Sequence, residues 1–283
     1  MGKEKERSVV FAGQNKYWGT VEEATQFWTD IGLSHLMIKR ATDTRLLDDH
    51  GRLIETDFEK LSKLQEKYQV DYHLHLYNLI FDGVFMSPAL ERAQPVFREI
   101  LENVDRAIGR YRLYPLITIH LPKYADPEYN FGLSEEAAFQ ASRNFFQTLD
   151  LESEVALETM HDPFRNPGHA LFGYQADHFK TYIQSKNFGL CIDIGHLVMA
   201  QEPIHRFLEL PYPLLCVHLN GNDGSSDQHL LPTEDNVGDC SSVVQVLRNC
   251  RGPIVFEVRK YAYSKEQVQD CLRFWSEAVK KSS

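Results

Sequence analysis

The chain has 283 residues, 43% hydrophobic and 25% charged, proportions that fit a folded globular protein and exclude a disordered or fibrous one. Its formal net charge of −10 offers no global attraction to a polyanion, although a local basic groove can coexist with an acidic whole. No run approaches the roughly 18 consecutive apolar residues that span a bilayer. The charged start, Met1-Gly2-Lys3-Glu4-Lys5-Glu6-Arg7, does not read as a signal peptide, and Glu6 stands where a myristoylation motif needs Ser or Thr. The expected location is therefore cytoplasmic. The five cysteines (Cys191, Cys216, Cys240, Cys250 and Cys271) are odd in number and contain no CxxC, so no disulfide framework is expected.

Apolar, β-rich runs alternate with amphipathic ones along the chain. A strand is predicted at 9–13, a helix at 20–31, a strand at 35–39 and a helix at 56–67. The strand at 70–77 leads to a helix at 88–109, and the strand at 116–121 to a helix at 134–149. Strands follow at 155–160, 189–194, 214–219 and 254–258, with helices at 174–185, 241–249 and 264–281; 203–208 is a short helix at most. Eight strands alternating with helical stretches are the pattern of an α/β parallel barrel, the (β/α)8 or TIM barrel. No GxGxxG follows the first strand, which removes the commonest reason to prefer a doubly wound open sheet. No linker, low-complexity segment or repeat divides the chain, so residues 1–283 are expected to form one domain.

Alternate strand residues point the same way. The last inward position on six strands is His75, His120, Glu158, Asp193, His218 and Glu257, all ionisable or metal-binding. Two residues earlier stand His73, Thr118, Ala156, Cys191, Cys216 and Val255, which apart from His73 suit a packed barrel layer. Ionisable groups in a barrel mouth are costly unless paired or coordinated, and a metal cluster offsets that cost. A lone strand histidine is usually a hydrogen-bonded core residue, but six such residues at one level of the face where this fold keeps its active sites point to a metal centre. Three more candidates lie just past strand ends. Gly195 lets the chain turn His196 back over the site, and the i, i+2 spacing of Asp227 and His229 lets both grip one ion from an extended segment. His73 belongs to the surroundings of the site, Cys191 and Cys216 are core fillers, and His35, His50, His169, His178 and His205 read as ordinary loop or helix histidines.

This constellation resembles the xylose-isomerase-like barrel superfamily and, within it, the endonuclease IV (AP endonuclease family 2) group, from the third strand to the eighth. The resemblance is carried by Cys191-Ile192-Asp193-Ile194-Gly195-His196, Val217-His218-Leu219-Asn220 and Asp227-Gln228-His229; Asn236-Val237-Gly238-Asp239 also resembles the loop that follows the Asp-x-His pair in that group. It implies a trinuclear Zn2+ centre, with Mn2+ as the alternative metal. His75 and His120 would hold the first ion, which shares Glu158 with the second; Asp193, His218 and Glu257 would complete the second; His196, Asp227 and His229 would hold the third. It also implies phosphodiester hydrolysis, with Glu158 bridging and Glu257 orienting the nucleophile as the catalytic pair.

The chain departs from the DNA-repair members of that group. Its first strand ends Phe11-Ala12-Gly13-Gln14-Asn15 and lacks their opening motif. The loop at 221–240 carries Asp223, Asp227, Glu234, Asp235 and Asp239 with no Lys or Arg, and the loop at 78–87 has no basic residue. A DNA enzyme needs cations there, because phosphate contacts dominate its affinity; those present (Lys16, Arg40, Arg45, Arg52, Lys123, Arg165 and Arg259) are scattered. The expected partner is a small-molecule phosphodiester such as the nucleotide loop of a cobamide, which the superfamily's cobamide-remodelling phosphodiesterases cut. DNA stands as the alternative, with no membrane and no obligate protein partner. Tyr77, His161 and Arg259 are candidate substrate contacts, and Tyr17, Trp18, Phe81, Phe85, Tyr129, Phe131 and Phe164 are aromatic residues near the mouth. The competing activities are an apurinic/apyrimidinic endonuclease and a single-metal sugar or sugar-phosphate isomerase or epimerase. The latter needs only Glu158, Asp193, His218 and Glu257 as ligands. A vestigial barrel would have lost ligands, and none is missing.

Overall fold

The computed structural model describes residues 9–39, 43–76, 79–81, 84–126, 131–161, 170–182, 187–259 and 262–281. Eight strands close into a barrel in chain order: β1 (Val10–Gln14), β2 (His35–Ile38), β3 (Asp71–Leu76), β4 (Leu116–His120), β5 (Glu154–Glu158), β6 (Phe188–Asp193), β7 (Leu214–Leu219) and β8 (Pro253–Phe256). All neighbouring pairs are parallel, and β8 closes on β1 with Pro253 opposite Val10 and Val255 opposite Ala12. The molecule is the expected TIM barrel, with strand ends shifted by no more than two residues. Short antiparallel strands in the loops after β3, β4 and β5 (Ile80–Phe81 with Val84–Phe85; Lys123–Asp126 with Phe131–Gly132 and Ala170–Leu171) stand at the C-terminal end of the barrel.

The surrounding helices are α1 (Val21–Asp30), α2 (Glu55–Tyr68), α3 (Gln94–Tyr111), α4 (Glu135–Gln147), α5 (Ala176–Tyr182), α6 (Ile194–Ala200), α7 (His205–Leu208), α8 (Cys240–Asn249) and α9 (Lys265–Lys281). α1 starts on a capping box, Thr20 accepting from the Glu23 N–H while the Glu23 carboxylate accepts from the Thr20 N–H. In α3 the apolar residues Phe97, Ile100, Leu101, Val104 and Ile108 recur at helical spacing and bury one stripe against the barrel. Trp28 and Trp275 are fully buried between sheet and helices. Trp28 lies so close to β1 that a Cβ on Gly13 would fall 2.2 Å from its ring, and its Nε1–H donates to the Gln14 carbonyl at 2.9 Å. Trp18, in the loop after β1, packs into this core with its ring centroid 4.6 Å from that of Phe27 and 6.2 Å from that of Trp28. Inside the barrel, Ala12, Met37, Ala156, Cys191, Cys216 and Val255 form a separate packed layer. His35 is a buried strand residue, corrected from an ordinary loop or helix histidine; its Nε2 lies 2.8 Å from His73 Nδ1. No helix among the described residues is long and apolar enough to cross a membrane.

Candidate metal centre

Strand register sharpens the idea of a single level. His120 lies opposite Glu158 and Asp193 opposite His218, but His75 faces Thr118, Glu158 faces Cys191 and His218 faces Val255. The six side chains therefore climb around the tilted barrel in two-residue steps. Each such step keeps the side chain on the inner face, so they still converge.

Glu158 is the hub. Its Oε2 lies 2.5 Å from His75 Nε2 and 3.4 Å from His120 Nε2, and its Oε1 lies 3.2 Å from His218 Nδ1 and 3.6 Å from His196 Nδ1. His218 Nδ1 is also 3.6 Å from Asp193 Oδ2 and 3.8 Å from Glu257 Oε1. Asp227 reaches His229 Nε2 at 3.0 Å and His196 Nε2 at 3.8 Å. All nine candidate residues are thus brought together. Seven are buried, and His120 and Asp227 open toward the mouth.

The backbone around the site sets these rings. Asp193 is the N-cap of α6, so His196 sits in its first helical turn, and Gly195 is helical rather than a free turn. What requires glycine there is proximity: a Cβ on Gly195 would meet Asn220 Oδ1 at 1.9 Å. Asn220 Nδ2 in turn donates to both Asp193 oxygens, at 3.1 and 3.2 Å. His196 Nδ1–H donates to the Thr159 carbonyl at 2.8 Å, and His229 Nδ1–H to the Glu257 carbonyl at 3.0 Å. Both rings therefore present Nε2 to the Asp227 carboxylate, the arrangement by which a ligand histidine is usually oriented. Asp227 and His229 do not share an extended segment as expected, because His229 has φ 51, in the left-handed region. Arg259 donates to the Asp227 carbonyl at 3.2 Å and so braces this loop. His161 lies beside His196, ring centroids 5.4 Å apart. Tyr17 sets its ring edge-on to His229 at 5.7 Å, with Lys16 Nζ 5.3 Å above Tyr17. Tyr77, Tyr129, Phe164, His169, Arg40 and Arg165 lie outside the described residues, as do the side chains of Phe81, Phe85 and Phe131.

Lys39 is the member that strand reading missed. It continues the parity of Met37, which lies opposite His73, so Lys39 rises to the layer of His75. It is 4% exposed, its ammonium is ion-paired with Glu257, and Asn15 grips its backbone on both sides, at 2.7 and 2.9 Å. Burial would lower the Lys39 pKa, but Glu257, Glu158 and Asp193 outweigh it and hold the ammonium above the usual lysine range. Burial likewise works against the Glu158 and Glu257 carboxylates. The His218, His120 and His75 imidazoles hold Glu158 well below its ordinary value, and Lys39, His218 and His229 do the same for Glu257. Burial would lower His218, yet Glu257 and Glu158 hold it well above the ordinary histidine value. His161 is pushed down to about 4 by burial and by His196.

This donor set fits a metal cluster. Three groups (His75, Glu158 and His218; Glu158, Asp193 and His196; Asp193, His218 and Glu257) each offer ligand atoms within 4.8 Å of one another. Asp227 Oδ1 is buried without a hydrogen-bond partner. Mixed imidazole and carboxylate donors suit zinc or manganese. Gly195→Ala should displace Asn220 and weaken metal affinity roughly 10–100-fold, the usual effect of losing a group that orients a ligand. Chelator competition measures it, and an unchanged affinity would show that Asn220 has no part in holding Asp193.

The family model described as Xylose isomerase-like TIM barrel matches residues 30–278. Solved structures of similar shape include a D-tagatose 3-epimerase-like protein, with TM-score 0.70 and 18% identity over 96% of this chain and 99% of that one. Endonuclease IV from Thermus thermophilus aligns with TM-score 0.59 and 14% identity over 96% and 99%. The IOLI protein, determined with a zinc atom, aligns with TM-score 0.67 and 13% identity over 96% and 98%. At such identities the likeness shows the fold alone. A comparison with curated protein sequences finds no match.

Proposed function

The chain belongs to the xylose isomerase-like TIM barrel family, and within that family we propose that it is a metal-dependent phosphodiester hydrolase with a trinuclear zinc centre. The observation that carries this reading is the outermost cluster, where His196 and His229, each fixed through Nδ1, turn Nε2 toward one Asp227 carboxylate. A single-ion isomerase has no use for that trio, nor for His75 and His120 against Glu158. His75, His120 and Glu158 would hold the first ion, Glu158 with Asp193, His218 and Glu257 the second, and His196, Asp227 and His229 the third. Bound zinc would supply charge at the phosphate oxygens and acidify a water, which neutral solution does not provide. Glu158, set among four imidazoles, holds the inner subsites together. Glu257, with one oxygen toward Lys39 and the other 3.4 Å from His229 Nδ1, is placed to orient the attacking water and take its proton.

A small-molecule phosphodiester, such as the nucleotide loop of a cobamide, suits the mouth better than abasic DNA. Besides the acidic loop at 221–240, Arg45 is ion-paired with Asp49 and Arg52 with Asp48, so neither stands ready for a DNA phosphate. Tyr17 sets an aromatic ring beside His229 on which a planar group could stack. The inner quartet Glu158, Asp193, His218 and Glu257 is the observation favouring a second reading, a one-metal sugar epimerase whose two glutamates shuttle a proton. Protein prepared without chelator should carry zinc on its nitrogen and oxygen ligands. It should hydrolyse bis(p-nitrophenyl) phosphate and a cobamide in preference to abasic duplex DNA. One manganese or magnesium ion with ketose epimerisation would overturn the hydrolase reading, and selective nicking of abasic DNA would overturn the small-molecule preference.

A further inference from the structure

Beneath the carboxylate–imidazole centre lies a layer of different chemistry. Cys191 on β6 and Cys216 on β7 are register partners, both fully buried and both free thiols. Their sulfurs and one nitrogen of His218 lie within 4.8 Å of one another. A zinc ion with two thiolates and an imidazole has donor atoms separated by roughly 3.5–4 Å, from bond lengths of about 2.3 and 2.0 Å, so any contraction the trio needs is about 1 Å at most. The His73 ring also reaches the Cys216 thiol.

Ala12, Met37, Ala156 and Val255 pack with the two cysteines as a core layer should, but apolar filling does not account for the histidines beside them. A cysteine used as a small apolar side chain wants apolar neighbours, whereas here two histidines turn toward the thiols. Nε2 of His73 and Nε2 of His218 are both buried without an oxygen or nitrogen partner, and both rings lie against the Cys216 thiol. His218 uses Nδ1 on Glu158, which leaves Nε2 to the layer below. His73 Nδ1 lies 2.8 Å from His35 Nε2, and in the tautomer that donates there His73 Nε2 is left as an acceptor.

We propose that Cys191, Cys216 and His218, with His73 beside Cys216, form a second metal site, one layer below the first, that takes a thiolate-preferring d10 ion such as zinc(II). Binding releases both thiol protons to solvent. Where ions occupy both faces of His218, the ring, kept as imidazolium by Glu257 and Glu158 in the metal-free protein, would also release both of its N–H protons and bridge the two sites as imidazolate. The lower ion would then fix the His218 ring from below.

Cobalt(II) substitution separates this site from the one above, because the upper donors are all nitrogen and oxygen. Protein purified under reducing conditions and loaded with cobalt(II) should show thiolate-to-cobalt charge-transfer absorption in the near ultraviolet. Cys191→Ser and Cys216→Ser should each lose that band and about one ion per chain, while Cys240→Ser keeps both. Should the core variants fail to fold, sulfur scattering in the X-ray absorption of wild-type cobalt protein answers the same question. Cobalt-loaded wild type with only nitrogen and oxygen ligands would overturn the proposal, whatever the substrate panel shows. A thiolate signature in a protein without hydrolase activity would leave the lower site standing and reject only the hydrolase.

Discussion

Glu257→Gln should lower turnover by roughly 10²–10⁴-fold, the range for a lost proton-transfer group, because the amide can neither take the proton of the attacking water nor hold an ion as a carboxylate does. The structure adds a consequence for stability. Glu257 is the ion-pair partner of buried Lys39, and removing one partner of a buried pair costs about 3–5 kcal/mol. The single variant should therefore melt lower in its metal-free form, which by itself could imitate a loss of activity. Lys39→Met combined with Glu257→Gln removes both charges and should recover much of that stability without recovering turnover. The measurement is kcat on the substrate identified by hydrolysis, alongside melting of metal-free protein. Near wild-type kcat in the single variant would sink the assignment of Glu257.

Lys39→Met alone should share the metal-free loss but differ in its response to zinc. Glu158, Asp193 and Glu257 are all buried, and Lys39 is the lysine set among them. Without its ammonium, the metal-free protein keeps clustered carboxylates with less compensation and should lose about 3–5 kcal/mol. Zinc would then replace the missing charge as well as bind, so the variant should gain more from zinc than wild type does. Thermal melts with chelator and with saturating zinc test this, since a ligand that binds only the folded state stabilises in proportion to its affinity and concentration. Equal metal-free melting temperatures for variant and wild type would mean that Lys39 carries no such charge balance.

The barrel and most of its inner face were legible in the residue order alone. Strand runs and helical spacing depend on local periodicity, so all eight strands were legible to within two residues. Parity then picked out His75, His120, Glu158, Asp193, His218 and Glu257, because side-chain alternation is a property of a single strand. Only the tertiary structure decided what depends on neighbours. The two-residue offsets between strands set which side chains share a height, and no single strand records them. Lys39 was readable as a strand residue, but its pairing with Glu257 depends on β1 and β2 closing the barrel beside β8. Gly195 looked like a turn and proved to be a close contact, because Asn220 arrives from the next strand's end. Likewise Cys191 and Cys216 read as fillers strand by strand and do pack with Ala12, Met37, Ala156 and Val255, while only their register sets the two thiols side by side below His218. Periodicity says which face a residue is on, while the chemistry of that face depends on what the other strands bring to it.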